Sequence, residues 1–441
     1  MVRKTVTAEI KKLGINGEGI AYLDKKITFV QGALPREVVE IEIVRDEPTY
    51  KIGELVKVVS RSKDRVRPKC YQQGKCLGCP LMIMDYQAQL TSKHQLVKDT
   101  LNKYIGKENV RVPIEPVKAS SQRLAVRNIV RLPIIKFDDR VVFGIYQRES
   151  KYLSLMSRCP MQSKRINSCL TELESLFSEL HLHAYDELKR KGLRFLTVRE
   201  FDAGLQLIFV TGEDRIPDRA LEAMSRIEGV ISIYVCVNTS KKQDFEAGKY
   251  EKKFGKATIE QYFMQKTFTI SPKDDFPVYR QHAVRVAKEI ADMIPEDTLS
   301  ILEVNSGIGL YSLGLDERYV IKGIDERKGD IVDAMNNVRL MGRMNVNYES
   351  GKMDILFPTL CKARHFDLVM VHVREAKYDP HFISNLRLST TRHILLFGDH
   401  LSTMAKMAGE LKENYRLAKI VNLDGAPNGS TLTTIMRLDL A

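Results

Sequence analysis

Four cysteines have the residue type and spacing to bind a soft metal. Cys70, Cys76 and Cys79 form a Cys-x5-Cys-x2-Cys run, and Cys159 directly precedes Pro160. Thiolates at such spacing hold iron–sulfur clusters, where a Cys-Pro pair is a familiar feature. Four thiolates also suit tetrahedral zinc, which is the structural alternative. Seven cysteines spread over a long chain do not indicate a disulfide framework.

A glycine-containing loop in the last third of the chain has the pattern that binds an adenosyl cofactor. A predicted strand, Ser300–Val304, is followed by the loop 305–309, a predicted helix, and a second predicted strand, Val320–Asp325. Glycines let the backbone approach a ligand, and a carboxylate at the end of the second strand accepts hydrogen bonds from ribose hydroxyls. The predicted cofactor-binding residues are Glu303, Gly307, Gly309 and Asp325. The alternative is that the glycines only form a tight turn in a fold kept for its core.

The composition predicts a multidomain protein with a polyanionic partner. The chain has 441 residues, 44% of them hydrophobic, and a formal net charge of +13. Phosphates gain from neutralisation by Lys and Arg and from counterion release. The alternative is a basic protein with no nucleic acid partner.

The N-terminus, MVRKTVTAEIKKLG, has no apolar run, and no later stretch is apolar enough to span a membrane, so we expect a cytoplasmic protein.

The first sixty residues predict a small closed β-barrel of the oligonucleotide-binding type. Short alternating segments predict five strands, at Thr5–Leu13, Gly19–Leu23, Ile27–Val30, Glu37–Val44 and Leu55–Ser60. Such barrels track a nucleic acid backbone with a strand face and basic loops. The cations that could serve this purpose, or simply be solvated, are Lys11, Lys12, Lys25, Lys26, Arg36, Lys51 and Lys57.

The rest of the chain changes from an α+β pattern to strand–helix alternation. After a predicted helix at Asp85–Ile105, five strands and two helices are predicted between residues 126 and 237, and the lysine-rich run Lys241–Lys256 predicts an exposed loop. From about Phe268 onward, strands and helices alternate and end in two consecutive strands, Tyr415–Asn422 and Thr431–Leu438. This order is typical of a doubly wound α/β fold with a terminal hairpin.

Several segments together resemble the RNA (uracil-5-)-methyltransferase family. GEGIAYLDKKITFVQGALPREVVEIEIV resembles the TRAM domain, an RNA-binding barrel, and further resemblance lies in GIYQRESKY, CPMQSKRIN, FTISPKDDF and ILEVNSGIGLYSL. The resemblance implies an α/β protein with an all-β N-terminal domain. It implies three domains: a TRAM barrel at 1–62, a central α+β domain with a four-cysteine [4Fe-4S] site at 63–264, and a Rossmann-like class I methyltransferase domain that binds S-adenosylmethionine at 265–441.

The family's reaction needs a thiolate and a carboxylate. The thiolate of a cysteine adds to C6 of uracil so that C5 can take the methyl group, and a carboxylate then removes the C5 proton. In this sequence the aligned positions carry other residues: Gly398 replaces the nucleophile and Thr433 the proton-removing glutamate. His372 and Glu375 replace the Asp and Arg of a DPPR motif, and Pro277 replaces a cofactor-contacting glutamine.

Two functions follow from this pattern. The first is a monomeric RNA-binding protein that binds tRNA or rRNA, has no DNA partner and does not make 5-methyluridine. The second is an active S-adenosylmethionine-dependent tRNA or rRNA methyltransferase with altered chemistry, with His372, Glu375 or Asp399 as acid–base groups. Cys361, the last cysteine in the chain, lies before a predicted strand at the sheet end opposite the cofactor, which argues against it as a nucleophile.

Overall fold

The computed structural model describes residues 5–76, 78–146, 153–156, 158–241, 245 and 248–441. The chain divides into two compact units. Unit 1 comprises Met1–Arg123, Val373–Asp379 and Leu395–Ala441, and unit 2 comprises Leu124–His372 and Pro380–Ile394. The three domain boundaries expected from the sequence stay a prediction. In the described ranges, no helix combines the length and apolar character that crossing a membrane requires.

Unit 1 begins with a six-stranded sheet. Its strands are β1 (Thr5–Glu9), β2 (Lys12–Leu13), β3 (Gly19–Leu23), β4 (Lys26–Val30), β5 (Val38–Asp46) and β6 (Tyr50–Ser60), in the order β1-β5-β6-β4-β3-β2. Asp24 and Lys25 form the hairpin turn between β3 and β4, with φ of 51° and 63°, because this primed turn matches the twist of the strands it joins. An all-β N-terminal region is thus confirmed, while closure into a barrel stays a prediction.

One long helix follows the cysteine-rich turns of unit 1. Helix α1 (Tyr86–Tyr104) begins at Asp85, whose carboxylate accepts hydrogen bonds from the backbone N–H groups of Gln87 and Ala88. This N-cap satisfies donors that the first helical turn leaves without partners. The observed helix agrees with the predicted Asp85–Ile105 helix to within one residue at each end.

The first part of unit 2 is a seven-stranded sheet covered by two helices. The elements are β7 (Ile129–Phe137), β8 (Arg140–Tyr146), β9 (Leu153–Leu155), α2 (Lys164–Glu179), β10 (Leu193–Glu200), β11 (Leu205–Thr211), α3 (Asp218–Ser225), β12 (Val230–Val237) and β13 (Tyr250–Gly255). The strand order is β13-β12-β11-β10-β7-β8-β9. Residues 250–255 of the expected lysine-rich loop form edge strand β13, which is a correction, while 242–244, 246 and 247 lie outside the described residues. Residues 147–152 of GIYQRESKY also lie outside them.

The second part of unit 2 carries the glycine loop on a parallel sheet. After a hairpin of β14 (Ile259–Phe263) and β15 (Lys266–Ile270), the elements are α4 (Arg280–Met293), β16 (Ser300–Val304), β17 (Val320–Asp325), α5 (Lys328–Leu340), β18 (Val346–Ser350), α6 (Met353–Ala363), β19 (Leu368–His372) and α7 (Pro380–Leu388). Parallel pairing gives the order β18-β17-β16-β19.

Two sequence expectations for this region are wrong. Turns, not a helix, follow the glycine loop, because Gly307 and Gly309 adopt φ of 58° and 75°, outside the helical region. Cys361 lies within helix α6 and is half-buried, whereas the sequence predicted a position before a strand. Cys169 in α2 and Cys236 in β12 are buried.

The C-terminal part of unit 1 contains three strands and a helix. Strand β20 (His393–Gly398), of which Leu395–Gly398 belong to this unit, is followed by α8 (Leu401–Leu411), β21 (Tyr415–Leu423) and β22 (Thr433–Leu440). β22 lies between β20 and β21 and pairs with β21 in antiparallel register. The predicted terminal hairpin is confirmed. The end of β20 and the start of β22 carry the two positions that the resemblance makes catalytic.

Candidate cofactor loop and catalytic positions

The glycine loop of unit 2 is tied to the end of the next strand. The backbone N–H of Gly307 donates to Asp325 Oδ2 at 2.8 Å, and Asp325 Oδ1 accepts from the backbone N–H of Arg327 at 2.9 Å. Asp325 is buried, with 3% of its surface exposed. Two of the four predicted cofactor residues therefore contact each other and fix the loop against β17.

Glu303 lies at the bottom of this loop as a fully buried acid. The hydroxyl of Ser312 donates to Glu303 Oε2 and also lies 2.6 Å from the hydroxyl of Tyr348. Burial raises the pKa of Glu303 to about 8; the Ser312 hydrogen bond lowers it, and the negative charge of Asp325 raises it further. At neutral pH Glu303 is therefore mainly a neutral carboxylic acid.

Gly309 is required by the packing of the loop itself. Its φ is 75°, and a Cβ at this position would lie 2.4 Å from the Tyr348 hydroxyl oxygen. A side chain at Gly309 would therefore collide with Tyr348 as well as strain the backbone. This contact gives the glycine a structural purpose, whether or not a cofactor binds.

Two buried polar atoms at the loop fit a bound adenosyl cofactor. Within the described residues, Glu303 Oε1 and Ser306 Oγ are buried and have no hydrogen-bond partner. Buried polar atoms are costly unless a partner satisfies them, and an amino or hydroxyl group of a ligand can do so. S-adenosylmethionine would be held by Glu303, Ser306, Asp325 and the backbone of Gly307, and it would supply a methyl group.

The position aligned with the nucleophile has no room for a side chain. Gly398 ends β20 with a φ of 146°, and a Cβ built on it would lie 2.4 Å from the carbonyl oxygen of Val373. That carbonyl belongs to a segment fixed by the hydrogen bond from the Val373 N–H to the Phe397 carbonyl, at 2.8 Å. The backbone here suits glycine, and a cysteine could occupy it only if the backbone moved.

The position aligned with the proton-removing residue donates to a carboxylate. Thr433, the first residue of β22, donates its hydroxyl hydrogen to Asp399 Oδ1 at 2.5 Å. Burial raises the pKa of Asp399, and the Thr433 hydrogen bond and the positive charges of His400 and Lys93 oppose that rise. Sequence reasoning counted Asp399 only as one possible acid–base group and did not predict its contact with Thr433, which depends on which strands are neighbours.

His372 and Glu375, the other two aligned positions, lie in different units. His372 ends β19 in unit 2, where its carbonyl accepts from the Asn305 side chain at 2.9 Å and its ring meets the ring of Tyr311 edge-on. Glu375 lies in the unit 1 segment 373–379 and is exposed.

A buried network that the sequence did not reveal holds the loop before β22. Lys93 of α1, only 2% exposed, donates to Asp424 Oδ1 at 2.7 Å and to the Ala426 carbonyl at 2.9 Å. Gln89, one turn earlier on α1, accepts from the backbone N–H of Asn428 at 3.0 Å. Burial lowers the pKa of Lys93, and the charge of Asp424 opposes this. The only sequence signal was that Gln89, Lys93 and the buried apolar residues share one helical face.

The four predicted cluster cysteines are divided between the units. Cys70, Cys76 and Cys79 lie in tight turns of unit 1, where the Cys76 N–H donates to the Gln72 carbonyl at 2.9 Å, and Cys159 lies in unit 2. Across the part of the chain that the structure describes, no three His, Cys, Asp or Glu side chains are grouped to hold a metal ion. The cluster expected on Cys70, Cys76, Cys79 and Cys159 stays a prediction.

Most of the cations predicted for RNA contact in the N-terminal sheet form ion pairs. Lys51 is the clearest case, because it is buried and lies 2.6 Å from Asp24. The other pairs are Lys11 with Glu9, Lys12 with Asp99, Lys26 with Asp46, and Arg36 with Asp64. Lys25 and Lys57 are exposed, and no ion pair of theirs occurs in the described ranges. These two lysines are the best placed for phosphate contact.

The N-terminal region matches a TRAM domain, and nearly the whole chain is similar to proteins called RNA methyltransferases. The TRAM domain model matches residues 1–56. An uncharacterized RNA methyltransferase of Halalkalibacterium halodurans is 27% identical over 430 residues, covering 95% of this chain and 92% of the relative. Another, from Enterococcus faecalis, is 27% identical over 444 residues, covering 98% and 97%.

A solved structure shares the fold over nearly the whole chain. The Pyrococcus abyssi tRNA (uracil-54, C5)-methyltransferase in complex with S-adenosyl-L-homocysteine superposes with a TM-score of 0.78. The superposed region covers 98% of this chain and 100% of the Pyrococcus abyssi chain, and the two sequences are 22% identical. The methyltransferase-like fold expected from the sequence is thus confirmed.

Proposed function

We propose that this protein binds RNA and does not form 5-methyluridine. The observation that supports the absence of 5-methyluridine formation is Gly398. Its φ and the close Val373 carbonyl leave no place for a nucleophilic side chain. Cys361 is a poor substitute, because burial raises the pKa of its thiol to about 11 and the thiolate is the reactive form. Thr433 is a hydrogen-bond donor to Asp399 and supplies no carboxylate of its own.

The support for RNA binding comes from the TRAM match and from charge. TRAM domains are RNA-binding barrels in the family that the sequence resembles, and the net charge of +13 favours a phosphate-rich partner. The RNA is tRNA or rRNA, and tRNA is the first to test because the solved structure of similar fold is a tRNA methyltransferase. The protein acts as a monomer in the cytoplasm under this proposal.

An adenosyl cofactor site is part of the proposal. Its support is the pair of buried polar atoms, Glu303 Oε1 and Ser306 Oγ, that lack a protein partner in the described residues. If S-adenosylmethionine binds, Ser306→Ala removes one of its hydrogen bonds and weakens binding by about five- to tenfold, since a typical hydrogen bond contributes about 1 kcal/mol. Titration calorimetry with S-adenosylhomocysteine measures this directly.

A second candidate function is methyl transfer with altered chemistry. The observation that favours it is Asp399, a solvent-accessible carboxyl beside the position of the family's proton-removing residue.

The predicted [4Fe-4S] cluster on Cys70, Cys76, Cys79 and Cys159 also remains a proposal, supported by sequence spacing alone.

Trapping with modified RNA tests the proposed loss of the nucleophile. RNA that contains 5-fluorouridine retains a covalent adduct when a thiolate adds to C6, because the fluorine cannot leave as a proton would. We expect this protein to bind such RNA without any adduct that survives denaturing electrophoresis. A denaturant-resistant band would show that a nucleophile is present and that the placement of Gly398 at that position is wrong.

A further inference from the structure

A small cavity of unit 2 lies between the segment that follows α2 and the loop that enters α3. Its volume is about 210 Å³. Four side chains that carry N–H donors line it, and they are His181, His183, Arg215 and Arg219. None of these residues belongs to the cofactor loop or to the aligned catalytic positions.

Hydrogen bonds of the backbone fix the chain segments that form this cavity. The Leu193 N–H donates to the His183 carbonyl at 2.8 Å and joins the segment after α2 to the start of β10. The Gly192 N–H donates to Asp214 Oδ1 at 2.7 Å, and the Gly212 N–H donates to the Gly192 carbonyl at 2.9 Å. These two bonds join the loop between β11 and α3 to the same frame. The cavity is therefore formed before any ligand binds, which lowers the entropy cost of binding.

The four donor side chains of the cavity are available to a ligand. Among the described residues, none of the four makes a side-chain hydrogen bond or an ion pair. All four are exposed to solvent. Arg226, just after α3, differs from them because it pairs with Glu222 at 2.5 Å. The absence of protein partners is thus a property of the cavity and not of every cation in this region.

The acidic groups near the cavity do not neutralise it. Asp214 is the one acidic residue in its lining among the described residues, and Asp214 Oδ1 is engaged by the Gly192 N–H. The exposed Glu251 has its pKa lowered first by Lys253 and to a smaller extent by Arg215, but it forms no ion pair with Arg215. Two arginines against one aspartate leave the lining positively charged.

The donors and the volume of the cavity together fit one phosphate group. Guanidinium groups bind phosphate oxygens bidentately, and an imidazole ring keeps an N–H donor in either protonation state. A phosphate presents more acceptor oxygens than a carboxylate does, so four donor side chains suit it better. A volume of 210 Å³ is below the range of about 300–1,000 Å³ that drug-sized ligands occupy, which favours a single phosphate over a whole nucleotide.

We propose that His181, His183, Arg215 and Arg219 bind one phosphate group of RNA in this cavity. The proposal rests on the RNA binding proposed above and adds to it a contact in unit 2. Free inorganic phosphate has the same chemistry, and the experiments are chosen to separate these two sources.

Salt titrations of tRNA binding test the site on the full-length protein. Fluorescent tRNA is titrated by anisotropy at several salt concentrations with the parent and with the double variant Arg215→Gln/Arg219→Gln. We expect the variant to bind about tenfold or more weakly at low salt, because it loses hydrogen bonds to a charged group. The slope of log affinity against log salt should fall by about one, since both arginines hold the same phosphate.

Arg226→Gln is the matched control for the double variant. Arg226 is exposed close to the end of the same helix and is not among the residues that line the cavity. This variant should keep the affinity and the salt slope of the parent. Circular dichroism should show both variants folded, because the substituted side chains are exposed.

Phosphorus NMR of inorganic phosphate examines the same cavity without RNA. We expect the parent to broaden the phosphate signal more than the double variant does. If the double variant binds tRNA with the affinity and slope of the parent, the assignment to RNA is wrong. Broadening that only the parent shows would then identify free phosphate as the ligand, and equal broadening would overturn the phosphate site altogether.

Two further outcomes separate this proposal from RNA binding itself. A fall of about two in the salt slope would mean that the arginines contact different phosphates, which overturns the single site and leaves RNA binding intact. Absence of tRNA binding by the parent at low salt would overturn RNA binding, and the NMR comparison would still decide whether the cavity binds phosphate.

Discussion

The hydroxyl of Thr433 donates to the carboxylate of Asp399 at 2.5 Å, across the ends of two neighbouring strands, β22 and β20. The resemblance places the family's proton-removing carboxylate at position 433. In this protein the carboxylate extends from the adjacent strand instead, one residue after the glycine at the nucleophile position. An acidic group thus lies one residue after Gly398 in this part of unit 1.

Gly398→Cys should destabilise the protein without creating a nucleophile. The added Cβ would lie 2.4 Å from the Val373 carbonyl oxygen, and the φ of 146° is strained for any L-residue. We expect a loss of about 1–3 kcal/mol in the free energy of unfolding, and the smaller Gly398→Ala should lose a similar amount. Urea unfolding followed by circular dichroism measures both.

Gly329→Ala is the matched control for that experiment. Gly329 lies in α5, and no atom is within 4 Å of a Cβ built there. Alanine is the better helix former, so stability should stay equal or rise by up to about 1 kcal/mol. A Gly398→Cys protein that is as stable as the parent would contradict the steric argument, and one that forms a covalent uracil adduct would contradict the expectation that a cysteine at position 398 is not a nucleophile.

The stability of unit 2 should fall as pH rises because of Asp274. This residue is 5% exposed and lies near Asp333; burial, together with the negative charge of Asp333, raises its pKa to about 9. An unfolded aspartate titrates near pH 4. Between about pH 4 and 9 the folded state therefore holds one proton more than the unfolded state, and stability decreases with pH by at most about 1.4 kcal/mol per unit.

Asp274→Asn tests this dependence. The amide cannot ionise, so the variant should gain stability relative to the parent as the pH goes from 5 to 8. Asp292→Asn, an exposed position on α4, is the control and should keep the parent's slope. If urea midpoints at pH 5, 6.5 and 8 shift in parallel for the parent and Asp274→Asn, the carboxyl is ionised in the folded state and our view of its environment is wrong.

Local sequence patterns predicted the strands well and the contacts of the candidate site poorly. The bounds of β16 (Ser300–Val304) and β17 (Val320–Asp325) match the predictions, because both are short runs with buried apolar residues and clear loop signals after them. The predicted helix after Gly309 fails, because the positive φ angles of Gly307 and Gly309 and the Tyr348 contact favour turns. The periodicity of apolar residues in the sequence does not reveal these backbone angles or this contact.

The pairing of Asp399 with Thr433 lay beyond sequence reasoning for another reason. It requires β20 and β22 to be neighbours, although α8 and β21 separate them in the chain.

The burial of Lys93 and Lys51 was not predicted because lysine is normally solvated. Only a specific acid partner makes the burial of a lysine tolerable.

Exposed lysines of the N-terminal sheet should contribute to RNA affinity. Lys25 and Lys57 are exposed, so Lys25→Asn and Lys57→Gln should each weaken tRNA binding and reduce the slope of log affinity against log salt by about one. Asparagine is chosen at position 25 because it tolerates the φ of 63°. Lys288→Gln, exposed on α4, serves as the control and should leave the slope unchanged. Unchanged slopes in both test variants would remove the N-terminal sheet from the RNA interface.

Anaerobic purification tests the predicted cluster. We expect brown protein with about four irons per chain, the content of a cubane cluster. Cys76→Ser should lose the iron, whereas Cys236→Ser, at a buried cysteine of β12, should retain it. Stoichiometric zinc without iron would instead support the tetrahedral thiolate site that the same spacing allows.

The central claim is that this chain cannot methylate C5 of uracil, and nucleoside mass spectrometry tests it most directly. The purified protein is incubated with isotopically labelled S-adenosylmethionine and total RNA from cells that lack it, and the RNA is digested to nucleosides. We predict no labelled 5-methyluridine, both for the parent and for the double variant Gly398→Cys/Thr433→Glu. Label in another nucleoside would identify the altered chemistry around Asp399. Labelled 5-methyluridine made by the parent protein would contradict the account.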